Sequence, residues 1–143
     1  QNDDEALRGK VKYIGRTLLT YYASYENETL KGKLKAIGAV TLDYYLAFDD
    51  AACRGLIKTI GRQAIAWYAS YENAELRGKL KNVGLAALNY YSSFEDKAFR
   101  GKIKSIDSHS ITYYSSFEQY SGSMKTGSTI INASGIKFYL RGF

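Results

Sequence analysis

The chain contains no proline, and only one residue each of cysteine, histidine, methionine and tryptophan. Without proline, the turns must be made by glycine, asparagine and aspartate. One cysteine, Cys53, excludes an internal disulfide and leaves the redox compartment unread. One histidine, His109, has no repeated partner and makes a poor metal ligand or general base. No apolar run approaches the roughly 20 residues of a membrane helix. HExxH, GxSxG, P-loop and dinucleotide fingerprints are all missing. The chain therefore reads as non-enzymatic, with no cofactor expected.

What is present is repetition. A unit of 23 residues runs five times, with copies starting at Glu5, Glu28, Ala51, Ala74 and Lys97 and ending at residue 119. Such a period marks a small supersecondary unit that buries its apolar side against its neighbours. The expected organisation is an N-terminal tail over 1–4, five tandem hairpin repeats over 5–119, and a C-terminal capping hairpin over 120–143. The chain begins at Gln1, which fits a processed leader, so a secreted or periplasmic protein of the bacterial envelope is expected. Asn27-Glu28-Thr29 and Asn132-Ala133-Ser134 match the glycosylation sequon.

The spacing of Leu7, Val11 and Ile14 would fit a helix, but two glycine slots in each copy would each cost a helix about 1 kcal/mol. Segments such as SITYYSSF are aromatic and β-branched, which favours strands. The expected fold is all-β. It is an antiparallel meander of about five 23-residue hairpins plus a C-terminal hairpin, curled or closed into a barrel or paired in a dimer. In the first copy strand one is expected over about Leu7–Ile14 and strand two over about Leu18–Tyr25. A turn at Gly15 recurs at Gly38, Gly61, Gly84 and Asp107, and Asp tolerates the left-handed conformation that glycine supplies.

Side chains alternate across a strand. Strict alternation puts Leu7, Gly9 and Val11 on one face, and Arg8, Lys10 and Lys12 on the other. At the equivalents of that second set, fourteen of fifteen positions are Lys or Arg. Ile14 falls on the basic face by the same parity, so the strand is expected to end or twist there. In strand two Leu19, Tyr21, Ala23 and Tyr25 share the apolar face, with Tyr22, Tyr45, Tyr68, Tyr91 and Tyr114 on the mixed face. In a meander the lysine rows lie about 9.6 Å apart, whereas a parallel β-helix would stack like charges at about 4.8 Å.

The net charge of +6 and 14 tyrosines suit a surface that attracts anions and stacks rings. The expected function is a binding or scaffold module. Its contact surface would comprise Arg8, Lys10, Lys33, Arg77, Lys79, Lys102, Tyr45, Tyr68 and Tyr91. Its expected partner is an anionic polysaccharide or another protein. Nucleic acid is not expected, because the charge is modest and no known module is visible. A homodimer through the apolar face is a further expectation. Two alternatives stand beside this reading. One is a small outer-membrane β-barrel, the only version that involves a membrane, with Phe143 as a terminal aromatic. The other is a self-assembling structural sheet.

The hairpin length, the fixed glycines and aromatics, and GK(L/V)K steps such as Gly32-Lys33-Leu34-Lys35 resemble the divergent variety of MORN-type repeats. The resemblance covers about residues 5–119, without the Tyr-x-Gly-x-Trp step. It implies an antiparallel repeat sheet and a scaffold or binding role, and carries over no site.

Overall fold

The computed structural model describes residues 4–141. Most of the expected 1–4 tail, and the terminal Phe143, lie outside the described residues. The chain divides after Ile65 into two compact units. Among the described residues there is no α-helix.

The first unit contains β1 (Tyr13–Ile14), β2 (Thr17–Tyr21), β3 (Leu34–Ile37), β4 (Val40–Tyr44), β5 (Ile57–Ile60) and β6 (Gln63–Trp67), the last running past the division. Each pairs antiparallel with the next. The second unit contains β7 (Leu80–Val83), β8 (Ala86–Tyr90), β9 (Ile103–Ile106) and β10 (His109–Ser110), in the same sequential pairing. It continues with β11 (Thr112–Tyr113) against β12 (Met124–Thr126), and with the hairpin β13 (Ile130–Ala133) and β14 (Ile136–Tyr139). The antiparallel meander of tandem hairpins is therefore the architecture of the chain. Among the described residues β1 pairs with β2 alone and stands first in the strand order.

The strands are shorter than expected. Strand one spans four residues or fewer in every copy, not Leu7–Ile14 and its equivalents. The reason is the second glycine slot: Gly9, Gly32, Gly55, Gly78 and Gly101 adopt φ between 76° and 79°. That left-handed geometry turns the chain where a strand would have to run straight. Strand two stops at Tyr21 rather than Tyr25, because the chain turns next. The Glu26 amide bonds the Ala23 carbonyl at 3.1 Å, and the Glu26 carboxylate takes the Ala23 amide at 2.6 Å. The hairpin turns lie where the sequence puts them, with Gly15, Gly38, Gly61 and Gly84 near φ 60° and Asp107 at 52°.

The expected two faces also change composition. In β2–β3 Thr20 pairs with Ala36 and Tyr21 with Leu34, which leaves Lys35 as an extra residue. The same bulge leaves out Lys58, Lys104 and Lys125. One inserted residue reverses the parity of the strand beyond it. Ile37 and Ile60, expected on the basic face, land beside Leu19 and Leu42 on the apolar face. The opposite face carries small polar residues such as Thr20, Thr41, Asp43 and Thr59. The cations stand at bulges and turns rather than along one sheet face.

Each unit has its own core. In the first, Leu30, Leu42 and Tyr44 are buried with Tyr22, Leu34, Leu46 and Ile57 packed around them. In the second, the β13–β14 hairpin lays Ile131 and Ala133 over Ala86, Leu88, Ile106 and Ile111. Its turn places Ser134 and Gly135 at positive φ, as the Asn-Ala-Ser-Gly segment suggests. Ser134 donates to the Asp107 carboxylate, which also accepts the Ala87 amide.

The expected boundaries shift at both ends. Asp4, assigned to the tail, accepts the Ala6 amide at 2.8 Å. Asn27, Asp50, Asn73 and Asp96 accept the amide two residues on in the same way. At the other end, β12 is a sixth first strand, entered through Gly122-Ser123 as β9 is through Gly101-Lys102. The Tyr114 amide bonds Ser123 and the Gly122 amide bonds Tyr114, just as Tyr91 pairs with Lys102 and Gly101.

Ile106 and Ile14 occupy the same slot, one fully buried and one 65% exposed. Ile106→Ala should cost about 2–5 kcal/mol, and Ile14→Ala less than about 0.5 kcal/mol. Urea unfolding of the two variants measures the difference; equal losses would contradict the placement of the core.

Candidate functional site

The paired tyrosines face inward. The first ring of each pair anchors its own copy: Tyr21, Tyr44, Tyr90 and Tyr113 donate to the carbonyls of Val11, Leu34, Leu80 and Ile103 at 2.6–2.8 Å. The second reaches forward into the next copy. Tyr22 donates to Leu42, Tyr45 to Ile65, Tyr68 to Leu88 and Tyr91 to Ile111, at 2.6–3.0 Å. Edge-to-face ring pairs form at the same junctions, between Tyr22 and Tyr44, Tyr68 and Tyr90, and Tyr91 and Tyr113, with centroids 6.1–6.3 Å apart.

A lysine covers each ring. Lys10, Lys33, Lys79 and Lys102 lie 4.9–5.5 Å from the first-ring centroids. The bulge lysines Lys35, Lys58, Lys104 and Lys125, and Lys81 at the equivalent slot, lie 5.2–5.7 Å from the second rings. Each such contact stabilises by about 0.5–2 kcal/mol depending on desolvation. Lys79 also bonds the Gly101 carbonyl at 3.3 Å, and Lys102 bonds that of Gly122. Several bulge lysines meet a carboxylate as well. Lys35 pairs with Glu26 at 3.0 Å and Lys125 with Glu118 at 2.9 Å. The Ala23 amide, and after it Lys35, hold the Glu26 carboxyl below the usual carboxylate range. The same Glu26 bond raises Lys35.

The nine expected contact residues thus divide by role. Tyr91 is buried, Tyr45 and Tyr68 are half-buried, and the hydroxyls of all three are bonded. Lys33, Lys79 and Lys102 are half-buried roofs over rings. Lys10 is an exposed roof over Tyr21. Arg8 and Arg77 are exposed on the glycine turn. The structure does not gather the nine on one sheet face. Arg8, Lys10, Lys33 and Tyr45 belong to the first unit, the other five to the second.

The most exposed periodic feature escaped the alternation argument. Tyr25, Phe48, Tyr71, Phe94 and Phe117 are 82–95% exposed, one in each copy. Parity assigned Tyr25, and with it the equivalent Phe48 and Tyr71, to the apolar face. The signal that places them outside is the acidic turn residue directly after each one. An exposed cation recurs at the glycine turn, as Arg8, Lys31, Arg54, Arg77 and Arg100. In two copies, cation and aromatic are tied into one loop. Arg54 Nε donates to the Asp49 carbonyl, next to Phe48, and Arg100 Nε to the Glu95 carbonyl, next to Phe94, both at 3.0 Å.

Among the described residues no cluster of three or more His, Cys, Asp or Glu has the makings of a metal site. Cys53 is buried in the slot of Leu30, and His109 is exposed. Comparison of the chain with protein-family models, with curated proteins and with solved structures finds no match.

Burial, and after it the neighbouring Tyr68, pushes the Tyr90 hydroxyl up to about 12. A tyrosine in the unfolded chain ionises near 10. The folded state keeps a proton that the unfolded state releases. Stability should be complete below about pH 10 and fall as pH rises towards 12. Tyr90→Phe should flatten that decline in denaturant titrations at pH 8 and pH 11; an unchanged slope would contradict the assignment.

Proposed function

We propose that this chain is a non-enzymatic repeat module that binds an anionic polymer, such as an acidic polysaccharide, outside the cytoplasm. One observation carries the reading: in the loops of Phe48/Arg54 and Phe94/Arg100 an exposed guanidinium is bonded to the backbone carbonyl of the residue that directly follows an exposed ring. A guanidinium recognises sulfate or carboxylate groups by charge and paired hydrogen bonds. An exposed ring in the same loop offers a stacking surface at low entropic cost. Repetition makes such contacts multivalent, so weak single contacts add to avidity. The contact surface shifts from the lysines and tyrosines of the sheet towards the turns. Arg8 and Arg77 stay in it, joined by Lys31, Arg54 and Arg100. The resemblance to MORN-type repeats is part of the same proposal, and the tandem-hairpin meander supports it.

The test is binding of dextran sulfate, with uncharged dextran as control, at low and high salt. Replacing Arg8, Lys31, Arg54, Arg77 and Arg100 together by Ser removes exposed charges whose contributions are about 0.3–0.5 kcal/mol each. Affinity should fall by about tenfold or more and the salt dependence should flatten. Undiminished binding by the folded variant would refute the proposal.

Strands of two to five residues are far below the roughly 9–11 of a membrane-spanning β-strand, which favours this reading over an outer-membrane barrel. One observation favours self-association as a second reading. Ile14, Ile37, Val40 and Ile60 are 41–65% exposed in the first unit. A dimer covering these aliphatic groups should appear in sedimentation, and Ile37→Lys with Ile60→Lys should abolish it. A monomer at all concentrations would exclude it.

A further inference from the structure

The second unit carries three exposed rings in one row. Tyr71, Phe94 and Phe117 are 85%, 95% and 94% exposed. Each stands in the loop that leads into a first strand, β7, β9 and β12 in turn. Only β8 lies between β7 and β9. Between β9 and β12 lies the β10–β11 segment, whose Ile111 amide bonds the Lys104 carbonyl. The three loops therefore recur at one end of the sheet at two strand spacings, about 9.6 Å.

The loops share one geometry. The amides of Glu72, Glu95 and Glu118 bond the carbonyls of Ala69, Ser92 and Ser115, each at 3.1 Å. The amides of Phe94 and Phe117 bond the hydroxyls of Ser92 and Ser115 at 3.3 Å. Neighbouring loops are also laced together. The Glu75 carboxylate accepts the amide and hydroxyl of Ser93 at 2.5 and 2.9 Å, and the Asp96 carboxylate accepts those of Ser116 at 3.0 and 2.9 Å. Glu72 and Glu118 are paired with Lys81 and Lys125. The loops of Tyr71 and Phe94 each add an exposed guanidinium, Arg77 and Arg100, whereas Ser121 takes that place after Phe117.

A pyranose in an extended β-linked chain is about as long as one strand spacing, so each copy matches a disaccharide. A ring stacks on an uncharged sugar, because desolvating a carboxylate against it is costly. A guanidinium pairs with the carboxylate of the next sugar. We infer, on condition that the anionic-polymer binding proposed above holds, that this row takes an extended polysaccharide in which neutral and acidic sugars alternate, one disaccharide to each copy. The regular interval lets weak contacts add, and the laced loops lose little freedom on binding.

The experiment titrates the whole chain with hyaluronan oligosaccharides, in which a uronate and an N-acetylhexosamine alternate. Oligogalacturonates of equal length, acidic at every sugar, are the comparison. Affinity for hyaluronan should climb about tenfold or more from the disaccharide to the hexasaccharide, which spans the three loops. It should also exceed the affinity for the hexagalacturonate. Phe94→Ala, at a ring too exposed to support the fold, should weaken the hyaluronan hexasaccharide about two- to tenfold and the hexagalacturonate less. Equal affinity for the two hexasaccharides, hyaluronan binding unchanged by Phe94→Ala, or no hyaluronan binding at millimolar concentration would each overturn the inference. Dextran sulfate then tells the two proposals apart. If it binds and the five-cation variant weakens it, only the alternating polysaccharide falls; if no polyanion binds, anionic-polymer binding falls as well.

Discussion

The structure depends on one recurring contact, the second tyrosine of each pair reaching into the following copy. Within a unit, each copy is too small to close a core alone. Its strands are two to five residues long and its connections are mostly turns. Tyr22 makes the junction between the first two copies in several ways at once. Its hydroxyl bonds a carbonyl of the next copy's second strand, its backbone pairs with the glycine turn, and its ring meets Tyr44 edge-on. Each bond alone is worth about 0.5–1.5 kcal/mol. Together they fix register, because a slip of one residue would break all of them. Tyrosine suits the role better than phenylalanine, since a buried backbone carbonyl without a donor would cost more than the hydroxyl gains.

The lysines follow from the tyrosines. A roof of lysine over rings and carbonyls keeps the aliphatic stem on apolar surface and the ammonium at the rim. The bulge that sets Lys35, Lys58 and Lys104 apart from the ladder also brings Ile37, Ile60 and Ile106 back to the core face. One inserted residue therefore does two jobs, supplying the cation and correcting the parity. It also explains why so basic a set of positions is compatible with a packed sheet. The ammonium groups rest against π-faces, carboxylates and carbonyls, with little mutual exposure. A cation engaged in this way is poorly placed to act as a ligand contact, whereas Arg8 and Arg77 stand out on turns.

Much of this was legible from the residues alone. The period, the all-β class, the antiparallel meander and the turns at Gly15 and its equivalents all come from glycine placement and β-branched composition. Even the Gly-to-Asp exchange at residue 107 reads correctly, because aspartate tolerates positive φ. Three things lay beyond alternation. A β-bulge leaves no local signature distinct from an ordinary lysine in a strand, so the faces were assigned with the wrong parity beyond it. A strand-like run such as TLLTYYASY does not reveal where it ends until the carboxylate three residues after Ala23 is seen to cap the turn. The depth of a tyrosine depends on whether a carbonyl waits for its hydroxyl, which is a property of the next copy rather than of its own. Tyr45, Tyr68 and Tyr91 therefore read as stacking surface, and the rings that do stand outside, such as Phe48, read as core. The half-repeat at Gly122 was hidden by a connection two residues shorter than the period.

Equivalent slots in the two units show how a repeat sheet is closed off. Position ten of the copy is Ile14, Ile37 and Ile60 in the first unit, and all three are exposed beyond 40%. In the second unit Ile106 at that position is fully buried, because the β13–β14 hairpin lies on it. The difference is not composition, since the residue is the same. It is the supply of a second layer. A single antiparallel sheet has one apolar face, and that face needs a covering element of its own. The hairpin provides it for a few side chains, and its anchor to Asp107 exists only in the copy where aspartate replaces the turn glycine. The carboxylate that makes the turn is thus also the tether for the cover: one Oδ takes the Ala87 amide and the other the Ser134 hydroxyl. A glycine at that slot can make the turn but has no second group to offer, so the copies of the first unit keep the turn without the tether.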